Sequence, residues 1–122
     1  MNKIIENAKQ DNYPHLQEES VFALSLIASR SLVGVQTIFD KGTTSLFISL
    51  LNSTNPLIVE KAAIAIGKIS SYSIFYRDSI IREGGIAPLV KILSNAGQHE
   101  KYLNIIAWVT SNLCRGTPLP KY

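Results

Sequence analysis

GTTSLFISLLNSTNPLIVEKAAIAIGKIS, from Gly42 to Ser70, and GGIAPLVKILSNAGQHEKYLNIIAWVTSNLC, from Gly84 to Cys114, are two versions of one pattern. Gly42 and Gly84 stand 42 residues apart, and so do Leu51 and Leu93. Further on, Ile64 and Trp108 are 44 apart, because the second copy carries a slightly longer loop. An internal period of this size marks stacked helical units, none of which buries its apolar stripe alone. The first expectation is therefore an all-α solenoid.

Working outward, Pro14 to Ser29 predicts a helix: Leu16, Phe22, Ala23, Leu24, Ile27 and Ala28 recur at spacings of three and four, and Pro14 suits a first helical turn. No helix is placed before Pro14. A short helix is expected from Val33 to Lys41, closed by Gly42, which takes the left-handed conformation without Cβ strain. The next starts after Thr43 or Thr44 as N-cap and runs to Leu51; Asn55 then caps, and Pro56 opens, a longer helix to Ser70. The second copy repeats the order, with a short helix near Phe75 to Glu83, a stop at Gly84-Gly85, a middle helix to Leu93 with Pro88 near its start, and a long helix from about His99 to Cys114.

Composition bounds the function classes. With 122 residues, 46% hydrophobic and 17% charged, the chain has the makings of one ordered domain. The net charge of +3 comes from scattered Lys and Arg without a basic run, which argues against nucleic acid as partner. A single cysteine, Cys114, excludes an internal disulfide and fits a reducing compartment. The N-terminus has no signal-peptide stretch and no segment has the roughly 18 apolar residues of a membrane span. The expectation is a chain of cytoplasm or nucleus, with no membrane partner. His15, His99 and Cys114 have no metal-ligand spacing, no phosphate loop or paired-carboxylate motif is present, and no serine has triad companions. Neither enzyme chemistry nor a cofactor is expected.

Three helices per unit of this length is the armadillo-type arrangement. Within it, NIIAWVTSNLCRG (104–116) closely resembles the importin-alpha signature, in which a helix ends with Trp, three residues, Asn, then Leu-Cys-Arg. EESVFALSLIAS (18–29) and EKAAIAIGKIS (60–70) resemble the two preceding third helices of that family, and FYRDSIIREGGIAPLVKIL (75–93) resembles its inter-helix pattern. The resemblance covers roughly residues 13 to 120. It implies a right-handed armadillo-repeat superhelical solenoid, one domain over residues 1–122, with a leading third helix at 14–29 and repeats at 31–71 and 73–115. It also implies a truncated and diverged member, matching the second to fourth repeats of a longer protein.

In that family the third helices form a ladder for an extended basic peptide, the nuclear localisation signal. An Asn amide, with both donor and acceptor, clamps the peptide backbone, and a Trp one turn earlier gives a cation–π wall to a lysine. One rung is kept here, Trp108 and Asn112. The others are altered. Phe22 and Leu26 stand at the first Trp and Asn positions, and Ile64 and Lys68 at the second. Arg30 replaces a Gly, Lys61 a Gln, and Tyr72 the Asp that follows the second Asn. Leu26 clamps nothing and Lys68 only donates. Each added like charge opposes a basic ligand by about 1 kcal/mol when partly screened. Read without the resemblance, Phe22 and Ile64 are ordinary core or half-covered apolar residues, Arg30, Lys61 and Lys68 are solvated cations, and Trp108 and Asn112 are a core Trp and a helix-terminal amide.

The function so implied is that of a protein- or peptide-binding module related to signal recognition in nuclear import, with most of the basic-peptide groove lost. The partner is a protein or peptide offering an extended segment, a basic signal being held weakly at most. Importin-beta is not expected to bind, since residues 1–13 carry only Lys3 and Lys9 as cations, offset by Glu6 and Asp11. Two readings of other classes stay open: a structural module that self-associates through exposed solenoid ends, and a decayed fragment with no selected function.

Overall fold

The computed structural model of the protein describes residues 2–10, 12–94 and 100–115. Eight helices follow one another: α1 (Asn2–Ala8), α2 (Pro14–Arg30), α3 (Leu32–Asp40), α4 (Thr43–Leu50), α5 (Pro56–Tyr72), α6 (Ile74–Arg82), α7 (Ile86–Ser94) and α8 (Glu100–Arg115). From α3 onward the order short, short, long occurs twice, with lengths of 9, 8 and 17 and then 9, 9 and 16 residues.

The repeat is written into the punctuation. Ser31 and Ser73, 42 residues apart, both take extended backbone and cap the helix that follows. The Ser31 hydroxyl accepts from the Gly34 N–H at 3.1 Å, and that of Ser73 from the Tyr76 N–H at 3.2 Å. Gly42 (φ 70°) and Gly84 (φ 88°) carry the positive φ values found among the described residues, one at each passage from the first short helix to the second. Pro14 and Pro56 each occupy the first turn of a long helix, where no intrahelical N–H donor is needed. Asn55 caps α5, its Oδ1 accepting from the Leu57 N–H at 2.9 Å.

Two differences from the sequence expectations have physical reasons. First, α1 precedes Pro14. It lays Ile4, Ile5 and the fully buried Ala8 on the core while Lys3 and Glu6 face outward, and Gln17 Nε2 donates to the Ala8 carbonyl at 3.1 Å. Its 7 residues carry a single instance of the three-and-four spacing, Ile4 and Ile5 with Ala8, too little to mark a helix by itself, and packing against α2 supplies the stability. Second, the N-cap of α4 is Gly42, not Thr43 or Thr44, and both threonines are buried. The Glu83 carboxylate, arriving from the end of α6, instead accepts from the hydroxyls of Thr44 (3.1 Å) and Ser45 (3.3 Å). A negative charge there complements the α4 N-terminus. As expected, Pro88 lies near the start of the middle helix: α7 begins at Ile86 and Pro88 sits within its first turn, where proline is tolerated. His99, expected to start the last helix, lies outside the described residues.

The core runs along the three long helices. α2 packs on α5 and α5 on α8, with the short helices filling the flanks. Val21, Leu24 and Ala28 of α2, Ala62, Ala63, Ala65, Ile66 and Ile69 of α5, and Ile106, Val109 and Leu113 of α8 are wholly buried. Outside this axis, Phe39 of α3 stacks with Phe75 and Tyr76 of α6 at centroid distances of 5.5 and 4.7 Å, joining the two short-helix layers.

Ile66→Ala should lower stability by about 2–5 kcal/mol, the cost of an unfilled cavity in a close-packed interior. Val33→Ala, at a position 69% exposed, should change it by less than about 0.5 kcal/mol. Urea denaturation of the two variants beside the parent makes the comparison. Equal effects would show that α5 is not the axis of the core.

Candidate functional site

The long helices turn one face away from the core, and the faces adjoin. On α2 that face carries Phe22 (37% exposed) and Leu26 (56%), four residues apart, with Arg30 exposed at the helix end. On α5 it carries Lys61, Ile64 and Lys68, all half-buried, and Tyr72 (38% exposed). On α8 it carries Trp108 (41% exposed) and, four residues on, half-buried Asn112. The structure thus places on these exposed or half-exposed faces every residue that the sequence singles out. None of them belongs to the wholly buried core.

Two contacts stitch the faces into one surface. Between α2 and α5, Lys61 holds its Nζ 4.9 Å from the centroid of the Phe22 ring, a cation–π geometry. Between α5 and α8, the Trp108 ring lies flush on Gly67. A Cβ at that position would come 2.7 Å from Trp108 Cζ3, 3.0 Å from Cη2 and 3.1 Å from Val109 Cγ2. Gly67 is buried in mid-helix, where glycine costs about 1 kcal/mol against alanine, and what it permits is this seating of the indole. Sequence reasoning missed both. A glycine inside a helical pattern is a signal of close approach, but a partner 41 residues away, in the next long helix, has no local mark.

Charge on the surface is largely uncompensated within the chain. Among the described residues the ion pair formed is Arg77 with Asp78 at 3.6 Å, away from this face, and no carboxylate lies within 4 Å of Arg30, Lys61 or Lys68. Glu18 is engaged by Asn55 Nδ2 at 3.3 Å, which ties the start of α5 to α2.

Elsewhere the molecule offers little chemistry. A cavity of about 820 Å³ lies where α1, α2 and α4 meet, lined among others by Lys9, Gln17, Ser45, Leu46, Asn52 and Asn55, and it contains none of the face residues. No group of three or more His, Cys, Asp or Glu side chains able to hold a metal occurs among the described residues. No helix among them is long and apolar enough to cross a membrane.

Helical units stacked in this way, short, short and long, define an armadillo-repeat protein. Residues 76–115 match the Armadillo/beta-catenin-like repeat. Over 98% of its length the chain is 32% identical to importin subunit alpha-1b of Oryza sativa subsp. japonica, and equally so to importin subunit alpha-2 of Arabidopsis thaliana; in each case it spans 22% of the relative's length. Among solved structures, a designed armadillo repeat protein in complex with the peptide (KR)4 superposes with a TM-score of 0.78 at 24% identity, covering 90% of this chain and 45% of that one. The chain has the armadillo-repeat fold and, over nearly its whole length, is similar in sequence to the importin alpha subunits.

Gly67→Ala gains helix propensity but forces the indole outward, so the two effects should hold stability within about 1 kcal/mol of the parent. The emission of Trp108, the one tryptophan of the chain, should move to the red as the ring meets more water. An unchanged spectrum would mean that the ring does not rest on α5.

Proposed function

We propose that this chain is a protein-binding armadillo module that holds an extended peptide segment on the joint face of α2, α5 and α8, without chemistry. The observation that carries the reading is Trp108 seated on Gly67, exposed over two-fifths of its surface, with the Asn112 amide one turn further along the same helix. A held aromatic wall beside an amide suits a backbone clamp. A designed armadillo repeat protein of the same fold is in complex with a (KR)4 peptide, which supports peptide binding by such a stack, and the likeness to importin alpha subunits fits a protein-binding role. In this reading residues 31–71 and 73–115 are the repeats, 14–29 is a third helix of a preceding one, and the chain works in cytoplasm and nucleus.

The same face is poorly suited to a basic signal. Phe22 and Leu26, then Ile64 and Lys68, replace two aromatic–amide rungs, and Arg30, Lys61, Lys68 and Tyr72 leave it richer in cations and poorer in anions. A lysine-rich peptide meets repulsion where it needs attraction, and each backbone clamp that is missing removes about 1 kcal/mol.

Calorimetric titration with a lysine-rich signal peptide tests this. The parent should bind more weakly than about micromolar, and Lys68→Asn should improve affinity most among single changes, since it removes a charge and supplies a clamp. Phe22→Trp with Leu26→Asn should add a further step, and Tyr72→Asp a gain that fades as salt rises. Asn112→Ala in the restored protein should lose about 1–3 kcal/mol. Micromolar binding by the unmodified chain would overturn the lost-groove reading.

A further inference from the structure

The aromatic wall on α2 is already occupied by a cation from the chain itself. Lys61 reaches from α5 to within 4.9 Å of the Phe22 centroid, inside the roughly 6 Å range of cation–π attraction. A ligand lysine has to displace it, and meets its charge on the way. The ammonium presents only one side to the ring, and its remaining N–H donors have no carboxylate within 4 Å among the described residues.

The cations are not evenly spread. Glu19, exposed three residues before Phe22, and Glu60, half-buried and adjacent to Lys61 in sequence, lie in the N-terminal halves of α2 and α5. Arg30 and Lys68 lie toward the C-terminal ends, and no acidic residue occurs in α2 after Glu19 or in α5 after Glu60. Lys61 marks the boundary, and Lys68, seven residues on, stands about 10 Å further along the same side of the helix. Between the cations the surface is apolar, with Leu26, Ile64 and Trp108 exposed or half-exposed.

We infer that this face selects an extended segment of mixed acidic and apolar residues, its carboxylates meeting Lys61, Lys68 and Arg30 and its apolar side chains meeting Leu26, Ile64 and Trp108. The inference rests on the peptide-binding reading above and names the class of ligand. Lys61 is the residue that sets the sign of the selectivity: resting over the Phe22 ring, its side chain is restricted before the ligand arrives, so less side-chain entropy is lost on pairing with a carboxylate.

The test uses the full chain and two dye-labelled peptides, one with Glu at alternate positions among Leu and Ala, the other identical but with Lys for Glu. Anisotropy titrations at low and high salt give the ratio of the two affinities. The parent should favour the Glu peptide by about fivefold or more, a preference that shrinks as salt rises. Lys61→Gln should cut the preference and Lys61→Glu should reverse it. Lys68→Glu gives a second charge reversal that leaves the cation–π pair intact, and helical circular dichroism checks that each variant folds. Leu26→Ala should weaken the Glu peptide without altering the salt dependence. A parent that favours the Lys peptide, or folded charge-reversal variants that keep the parent's ratio, would overturn this inference and leave the peptide-binding reading standing. If neither peptide binds the parent up to millimolar concentration, both fall.

Discussion

The structure depends on α5 being thin enough to lie between two other long helices. Ala62, Ala63 and Ala65 are fully buried, and Gly67 is buried as well, so α2 and α8 both approach closely; Ile66 and Ile69 fill the space that remains. Each of those isoleucines contributes about 1.5–3 kcal/mol by leaving water, and the alanines contribute by letting the rest pack to interior density. Small residues in helix positions also favour helix outright, so local propensity and tertiary demand agree along most of α5. Gly67 is the exception, and it is the position on which Trp108 rests.

Much of the fold was legible because repeats repeat their punctuation. A glycine that must take positive φ and a proline that tolerates only a first turn are local requirements, and each recurs at its expected place. The serine caps, Ser31 and Ser73, recur in the same way, though the helix starts expected from sequence, Val33 and Phe75, passed them over. α1 was illegible for the opposite reason: it has no counterpart in the period and its 7 residues are helical through contact with α2. The Thr43–Thr44 expectation went astray on the same ground, since the group serving the α4 N-terminus is Glu83, 39 residues from Thr44 and reached only after the chain has turned back.

The site was legible as a set of positions and illegible as a set of contacts. Spacing of four on a helix is enough to place Phe22 with Leu26, Ile64 with Lys68 and Trp108 with Asn112 on common faces. It says nothing of which face meets which. That Lys61 reaches Phe22 follows from the offset between α2 and α5, which is fixed by how their buried residues interdigitate.

Fold and the proposed recognition therefore draw on nearly separate positions of the same three helices. Buried residues such as Val21, Leu24, Ile66, Ile106 and Val109 hold the stack; Phe22, Leu26, Ile64, Lys68 and Tyr72 lie beside them in sequence but outward in space. Substitution at the exposed members of the outer set, Leu26 above all, costs little stability, because exposed side chains lose few contacts when they change, whereas half-buried Ile64 and Lys68 keep part of their packing. A solenoid can thus keep its architecture while the chemistry of its face is rewritten, one side chain at a time. Gly67 is where the two sets meet. It is buried with the core, yet what it accommodates is the exposed indole, so a change there alters core packing and the proposed binding face together.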